Sequence, residues 1–291
     1  MNTFSIVTDS SCDLPAPMAQ EMDLTVLPLA FVMQGKEYYN YLDEREIPLH
    51  TFYEALRAGQ PCTTSAVNVE AFTSAMEPLL AAGKDVLCIA FSSGLSNTYN
   101  AAAVAVQELS QKYPERKIYA VDSLCASLGQ GLLVYLAAQE RAKGKGIEEV
   151  RDWLETEKFH LCHWFTVEDL HFLKRGGRVS AATALVGTML SIKPVMHMDN
   201  AGHLINVSKA RGRRASLTAL VDRMEQLAIA PEEQTVFISH GDSLEDAQFV
   251  AGEVQRRLGV RKPVVINYVG PVIGAHSGPG TIALFFLGRE R

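Results

Sequence analysis

The chain has 291 residues, about twice the length of a typical ~150-residue domain, which favours two domains or one large one. Apolar residues make up 47% and charged residues 21% of the chain, a globular composition that argues against intrinsic disorder. The formal net charge is −6. A general nucleic-acid binder, or a protein held on anionic membranes, needs a broad basic field, and this net charge disfavours both.

The N-terminal segment has no basic start, and Asp9 interrupts the stretch that would be apolar in a signal peptide. No apolar run approaches the ~18 residues of a membrane span. We therefore expect a cytoplasmic protein with at most transient membrane contact. Reduced thiols are expected because the five cysteines are odd in number and form no C-x-x-C pair.

Short apolar runs alternate with helical patterns in the first half of the chain. The runs that predict strands are Phe4–Thr8, Thr25–Val32, Val86–Phe91 and Lys117–Val121. The segments with helical spacing are Leu49–Arg57, Val69–Ala82, Asn97–Lys112, Leu128–Ala142 and Ile147–Lys158. This alternation is typical of βαβ units and predicts a mostly parallel sheet with flanking helices.

The pattern changes from His160 onward. Strands are predicted at His160–Val167, Ile192–Met198, His203–Val207, Thr235–Ser239, Val264–Tyr268 and Thr281–Leu287, and helices at Ala210–Leu227 and Leu244–Leu258. The turn Asn200-Ala-Gly202 predicts a hairpin and therefore some antiparallel pairing. The expected fold class is α/β with two domains, residues 1–158 and a mixed α/β domain of residues 159–291, and with a ligand between them.

Serine-rich turns follow several predicted strands. The segment Phe91-Ser-Ser-Gly-Leu-Ser-Asn-Thr-Tyr99 brings Ser93, Ser96 and free backbone N–H groups to a helix N-terminus, where the macrodipole favours an anion. Asp9-Ser10-Ser11 and Asp122-Ser123 end two other strands, and the carboxyl ends of parallel strands share one edge of a sheet. We expect these turns to converge on one rim, although any single serine is equally suited to capping a helix.

Three other segments carry candidate binding groups. Gly270–Gly280 holds four glycines and two prolines around His276, which predicts a rigid loop that aims one imidazole. Thr64 and Ser65 form a second hydroxyl cluster, for which turn or cap duty is the alternative. Two basic clusters, residues 174–178 and 209–214, fit either an anion site or docking face, or helix ends that favour cations.

The sequence also contains residues typical of two other kinds of site. Ser96, His276 and Asp9 could be assembled into a hydrolase trio, but no spacing favours these three over others. Cys162 and His163 resemble metal ligands, yet neighbours on a strand point to opposite faces, so a metal site is rejected.

Taken in order, the motifs resemble the DegV family, whose members include the fatty-acid-binding subunits of bacterial fatty acid kinase. The matching pieces are Val7–Ser10 with Asp13–Pro15, Thr64-Ser65, Ser92–Tyr99, Leu173–Arg178 and Gly274–Gly280. The chain departs from the family pattern at Ala66-Val-Asn68, after the Thr-Ser pair, and at Asn97.

The resemblance implies a carrier that buries one long-chain fatty acid, needs no cofactor and is not itself an enzyme. Thr64, Ser96 and His276 would hold the carboxyl group, with Ser65 and Ser93 nearby. Arg178 and Arg211 would belong to the carboxyl-end network or to the docking surface for an ATP-dependent kinase subunit. That partner would phosphorylate the carboxyl group to an acyl phosphate, which feeds phospholipid synthesis.

The apolar tail would supply the affinity, since ~15 methylenes at ~0.8 kcal/mol each give roughly 12 kcal/mol before association costs. Ala181–Leu190 is a candidate wall of the tunnel, although ordinary core packing explains it equally well. The alternatives are a stand-alone hydrolase or acyltransferase that uses Ser96 and His276, and a nucleic-acid-binding regulator that uses the two basic clusters.

Overall fold

Strands and helices alternate along the chain. The structure is a computed structural model that describes residues 4–180 and 191–291. Within these residues the strands are β1 (Phe4–Asp9), β2 (Leu24–Leu27), β3 (Ala30–Met33), β4 (Lys36–Tyr39), β5 (Cys62–Ser65), β6 (Asp85–Ala90), β7 (Ile118–Asp122), β8 (Leu161–Thr166), β9 (Ile192–Met198), β10 (Leu204–Arg211), β11 (Phe237–His240), β12 (Val265–Tyr268) and β13 (Ile282–Leu287). The helices of the same residues are α1 (Ala16–Glu21), α2 (Leu49–Arg57), α3 (Val69–Ala81), α4 (Thr98–Lys112), α5 (Leu128–Ala142), α6 (Ile147–Glu157), α7 (Leu170–Arg175), α8 (Arg213–Leu227), α9 (Leu244–Leu258) and α10 (Pro271–Ser277).

The first half of the chain forms a parallel sheet of order β2-β1-β6-β7, as predicted. Its central strands are buried on both faces, which agrees with their continuous apolar runs. The flanking helices begin at recognisable caps: the Asn68 side chain accepts a hydrogen bond from the backbone N–H of Ala71 (2.8 Å) at the start of α3. The bounds predicted for the helix Leu128–Ala142 are also confirmed, since α5 ends at Ala142 and Gly144, just beyond it, has a φ of 91°.

A small antiparallel sheet of order β4-β3-β5 was not predicted. The single strand predicted over Thr25–Val32 is wrong, because the chain breaks at Pro28 and Leu29 and continues as β3 in a different sheet. The segment Cys62–Ser65, for which the sequence predicts no strand, is strand β5 and pairs with β3. Its alternately half-buried and exposed side chains turn Thr64 inward and Ser65 outward.

The second half forms a mixed sheet of order β10-β9-β8-β13-β11-β12, in which only the β11–β12 pair is parallel. The predicted hairpin joins β9 to β10, and β10 runs on to Arg211, so the helix predicted from Ala210 begins at Arg213 instead. The α/β fold class is thus confirmed. The domain boundary near residue 158 stays a prediction.

The two faces of this mixed sheet have different neighbours. Cys162, Trp164 and Phe286 pack in one apolar cluster with residues of α8 and α9. Phe165 and Phe285 project to the opposite face and pack in a second cluster with residues of α5 and β1. Helix α5 approaches this face closely at Gly129, where a Cβ atom would lie 2.2 Å from the Nε2 atom of His163.

None of the described helices has the length and apolar character needed to cross a bilayer.

Candidate functional site

A cavity of about 160 Å³ lies on the α5-facing side of the mixed sheet. This volume is room for on the order of ten water molecules. Residues from both halves of the chain line it, and most are apolar: Leu29, Phe91, Leu95, Phe165, Leu173, Met198, Val272 and Phe285. Such a lining favours a ligand with a large apolar part.

Thr64 and His276 meet at one end of the cavity. The Oγ1 atom of Thr64, on β5, lies 2.8 Å from the Nε2 atom of His276, on α10. Burial and the nearby Arg178 charge lower the pKa of His276 from 6.5 to about 4. The ring is therefore neutral at pH 7 and acts as a hydrogen-bonding group rather than a cation.

Ser96 lines the same cavity at the start of α4. Its Oγ atom accepts a hydrogen bond from the backbone N–H of Thr98 (3.2 Å) and lies 2.8 Å from the Thr98 Oγ1 atom. Ser96 is not the N-cap of α4, which is Asn97, but its hydroxyl binds the free N–H of the first helical residue and also lines the cavity.

Arg178 supplies a positive charge beside these hydroxyls. Its Nε–H donates to the carbonyl oxygen of Leu95 (3.2 Å), and an Nη–H donates to that of Gly176. Burial lowers its pKa, and no carboxylate in the described part of the chain pairs with it. A half-buried guanidinium held by neutral carbonyls is well suited to bind an anion.

Thr64, Arg178 and His276 also line a second cavity of about 330 Å³, together with Cys62, Thr63 and Arg175. The same three side chains therefore lie between an apolar cavity and a more polar one. A carboxyl group bound there would have its tail on one side and its reactive oxygen facing the other.

The remaining predicted residues divide between the cavity and the surface. Ser65 lines the first cavity from an exposed position, whereas Ser93 is exposed and donates its backbone N–H to Asp122. Arg211 is exposed at the end of β10, and neither cavity includes it. Two other cations of its cluster are occupied: Arg213 pairs with Glu168 and Asp246, and Arg214 stacks on Phe249. Ala181–Leu190, the candidate wall, lies outside the described residues.

The glycine-rich segment around His276 is a helix rather than the predicted rigid loop. Gly270 and Pro271 begin α10, and Gly278, with a φ of 81°, ends it. Gly176 of the first basic cluster supports this helix: a Cβ atom there would lie 2.1 Å from the Nδ1 atom of His276. The sequence marked Gly176 only as part of a basic cluster, so its packing role was missed.

The turns that follow the strands do converge, but their carboxylates accept hydrogen bonds from backbone N–H groups. The Asp9 carboxylate accepts hydrogen bonds from the backbone N–H groups of Ser11 (3.0 Å) and Phe91 (2.8 Å), and Asp122 accepts from that of Ser93 (3.1 Å). Asp9 is fully buried, and burial raises its pKa. The trio of Ser96, His276 and Asp9 is therefore not assembled, since His276 bonds Thr64 and Ser96 bonds Thr98.

His163 is a cavity residue that sequence reasoning rejected as a metal ligand and did not otherwise use. The prediction that Cys162 and His163 point to opposite faces is confirmed, because Cys162 packs with the α8 and α9 cluster while His163 lines the cavity. Strand alternation alone identifies this position once the face of the sheet is known.

Comparison with known proteins gives consistent matches over the full chain. A family model described as "Uncharacterised protein, DegV family" matches residues 3–289. The chain is 45% identical to a DegV domain-containing protein of Clostridium perfringens, across 100% of this chain and 99% of that protein. Its structure is similar to that of a fatty-acid-binding DegV family protein from Thermus thermophilus, with a TM-score of 0.87 and 29% identity over 98% of this chain and 99% of the other. It is also similar to DegV of Bacillus subtilis, described as a fatty acid binding protein, with a TM-score of 0.83 and 27% identity over 99% and 100% of the two chains.

Proposed function

Because the chain belongs to the DegV family, we propose that it binds one long-chain fatty acid and presents the carboxyl group to a partner ATP-dependent kinase. The family relatives from Thermus thermophilus and Bacillus subtilis, which are fatty-acid-binding proteins, support the ligand class. The partner would transfer a phosphoryl group to give an acyl phosphate for phospholipid synthesis. The carrier would act in the cytoplasm, without a cofactor or a nucleic-acid partner.

The observation that supports this proposal most strongly is the set of polar side chains that line the apolar cavity, three of which (Thr64, Arg178 and His276) also line the second cavity. Thr64, Ser96 and His276 offer neutral hydrogen bonds to a carboxylate, and Arg178 offers a charge without a carboxylate of its own among the described residues. The apolar cavity would take the acyl tail as a buried tunnel, and the second cavity would leave a carboxylate oxygen open to the kinase.

The same geometry disfavours a stand-alone hydrolase or acyltransferase. A general base works best with a pKa near the operating pH and within hydrogen-bond reach of its nucleophile. The pKa of His276 is lowered to about 4, its Nε2 atom bonds Thr64 rather than Ser96, and the charge that acts on the ring is the cation Arg178. A carrier role needs none of these catalytic features.

The ligand is tested by mass spectrometry of an organic extract of the purified protein. The proposal expects a near-stoichiometric amount of long-chain fatty acid, or uptake of added fatty acid after delipidation. An extract without fatty acid, together with no uptake, would refute it.

The carboxyl-binding group is tested by Ser96→Ala and His276→Ala. We expect each variant to keep its fold by circular dichroism but to lower acyl-phosphate formation with a partner kinase about tenfold or more, because a buried hydrogen bond to a charged group is lost. Ser110→Ala, at the far end of α4, and His203→Ala, in the exposed β9–β10 hairpin, are the matched controls. Unchanged turnover in both site variants would remove these residues from the site.

A further inference from the structure

A buried carboxyl group that the proposed function does not use lies between the two halves of the chain. Asp13 follows β1 and is 3% exposed, and the described residues that line the apolar cavity do not include it. Its Oδ2 atom lies 2.5 Å from the Oγ atom of Ser127, which lies 3.0 Å from the Oγ atom of Ser239. Because Ser127 at the start of α5 and Ser239 on β11 both line the cavity, Asp13 contacts the cavity wall from outside.

The other carboxyl oxygen of Asp13 lies against the start of α10. A Cβ atom at Gly270 would lie 2.5 Å from the Oδ1 atom of Asp13, so this close approach requires glycine. The backbone N–H of Gly270 also interacts with the carboxyl group and stabilises its charged form. Asn267 of β12 donates from its Nδ2 atom to the backbone carbonyl oxygen of Asp13 (2.8 Å). The start of α10 is therefore packed on one residue of the first half.

Helix α10 connects this contact to the carboxyl-binding group. His276 lies six residues after Gly270, which is about 9 Å along a helix at 1.5 Å per residue. The first turn is closed by a hydrogen bond from the backbone N–H of Gly274 to the carbonyl oxygen of Gly270 (2.7 Å). The Nε2 atom of His276 lies 2.8 Å from the Oγ1 atom of Thr64, so a shift of the helix by about 1 Å would break that hydrogen bond.

We propose that Asp13 is a positioning residue for the carboxyl-binding group: its side chain ties the start of α10 to α5 and β11, and thereby holds His276 in contact with Thr64. This inference rests on the proposed function for the role of His276 and Thr64. It adds to that function a residue that acts through α10 rather than by touching the ligand.

The surroundings of Asp13 suit a neutral carboxyl group. Burial raises the pKa of Asp13 to about 8 and the nearby Asp9 raises it further, against the opposite effect of its hydrogen-bond contacts. The other titratable side chains that face it are Cys12 and Tyr53, and neither supplies a positive charge. Asparagine is neutral, has the same shape and tolerates the φ of 50° at this position, so Asp13→Asn should preserve the contact.

The first test is calorimetry of stearic acid binding to the delipidated full-length protein. Asp13→Gly removes the carboxyl group at a φ that glycine adopts freely, and we expect about tenfold weaker binding because one hydrogen bond to the bound carboxylate is misplaced. Asp13→Asn should restore most of this affinity. Asp23→Gly is the matched control, since Asp23 is an exposed aspartate with a φ of 49°, and it should bind stearic acid as the original protein does.

Nitrogen-15 NMR of the histidine-labelled protein without ligand measures the positioning itself. The Nε2 resonance of His276 should move in Asp13→Gly toward its position in Thr64→Val, and should stay in place in Asp13→Asn and Asp23→Gly. An unchanged resonance in Asp13→Gly would overturn the inference, even if that variant is less stable. Failure of the original protein to bind stearic acid would overturn the proposed function, whereas this comparison would still decide whether Asp13 positions His276.

A pH titration of the same resonance covers the case in which Asp13→Gly does not fold. The pKa of His276 is about 4, so the ring is neutral from pH 7 to pH 9, whereas Asp13 ionises near pH 8. Ionisation leaves a buried charge beside Asp9, which favours entry of water at the start of α10 and a displaced His276. We expect the Nε2 resonance to shift with a midpoint near pH 8 in the original protein and to lack this step in Asp13→Asn. The absence of the step in the original protein, or the same step in Asp13→Asn, would contradict the inference.

Discussion

Gly176 lies so close to His276 that a side chain at position 176 would collide with the imidazole ring. A Cβ atom there would lie 2.1 Å from the Nδ1 atom of the ring, although the φ of −74° suits any residue. We expect Gly176→Ala to displace the imidazole from Thr64, lower stability by about 1–3 kcal/mol through overpacking, and weaken fatty-acid retention. Chemical denaturation and lipid extraction measure the two effects.

Gly177→Ala is the matched control for this prediction. Gly177 has open space around its Cα atom but a φ of 72°, so alanine costs about 1 kcal/mol in backbone strain without touching His276. We expect this variant to lose stability and to retain its ligand. Equal retention in the two variants would show that Gly176 does not position the ring.

The neutral state of His276 predicts a pH dependence. Its pKa is lowered from 6.5 to about 4. Between these two values, His276 is mostly protonated in the unfolded chain but mostly neutral in the folded protein. Stability should therefore fall from about pH 6.5 to about pH 4, by up to about 1.4 kcal/mol per pH unit for this group. His240, whose pKa burial also lowers to about 4, acts in the same direction.

His276→Asn should flatten this loss of stability between pH 6.5 and pH 4, as measured by urea denaturation across that range. His203→Asn controls for removal of an exposed histidine. An unaltered pH profile in His276→Asn would mean that folding does not lower the pKa of His276.

Helix α2 is tied to the second half of the chain through Asp242. This carboxylate accepts hydrogen bonds from Arg57 and from Tyr268 (3.1 Å), and lies 3.0 Å from the Nδ1 atom of His50. His50, Glu54 and Asp242 are also spaced like metal ligands, but the guanidinium of Arg57 already pairs with both carboxylates. We therefore interpret His50, Glu54 and Asp242 as part of an ion-pair contact between α2 and the second half of the chain.

Asp242→Asn tests this contact, and asparagine tolerates the φ of 55° at this position. Burial raises the pKa of Asp242, but the hydrogen bonds from Arg57, His50 and Tyr268 outweigh it and hold the pKa below 3.8. The ionised carboxylate therefore stabilises the fold at any pH above the pKa that Asp242 has in the unfolded chain. This stabilisation is lost as the pH falls through the lower pKa that Asp242 has in the folded protein. We expect a loss of about 1–2 kcal/mol at pH 7 that shrinks below about pH 4.

Glu54→Gln removes only an exposed pair within α2 and should cost at most about 0.5 kcal/mol. A loss in Asp242→Asn that is the same at pH 7 and pH 3 would assign the effect to something other than the charge.

Sequence patterns predicted an element correctly where its own residues determine the structure. They failed where packing against other elements determines it. The buried strands β1, β6 and β7 carry continuous apolar runs, and α3 has an asparagine cap, so periodicity sufficed. Strand β5 reads Cys-Thr-Thr-Ser and has no apolar signal, because its pairing with β3 makes it a strand. Helix α10 lies in a glycine-rich segment, between Gly270 and Gly278, and is helical because it packs against α7 and β5.

The site was predictable in its residue types but not in its geometry. Thr64, Ser96 and His276 line one cavity, although the first and last are 212 positions apart in the chain. Among the described residues, Arg178 has carbonyl partners but no carboxylate, and the Nε2 atom of His163 has no hydrogen-bond partner; both features follow from neighbours in other elements. A single sequence without its fold contains no signal for either.

At the scale of the whole molecule, the ligand would join the two halves. The cavity takes Leu29 and Phe91 from the first half and Phe165 and Phe285 from the second, so the acyl tail completes an apolar contact that spans both. Direct contacts between the halves include hydrogen bonds as well, as where the buried Tyr53 hydroxyl donates to the carbonyl oxygen of Val269 (2.7 Å). Loss of the ligand should therefore lower the stability of the whole molecule.

We expect delipidation to lower the melting temperature and added stearic acid to restore it. A ligand that binds only the folded state at a hundred times its Kd stabilises by about 2.7 kcal/mol, which corresponds to roughly 5–10 °C for a chain of this size. Methyl stearate carries the same tail without an ionisable carboxyl group, so its smaller shift would measure what Thr64, Ser96, His276 and Arg178 contribute. Equal shifts for the two ligands would mean that the tail alone binds, and an unchanged melting temperature with both would mean that the cavity does not join the halves through a ligand.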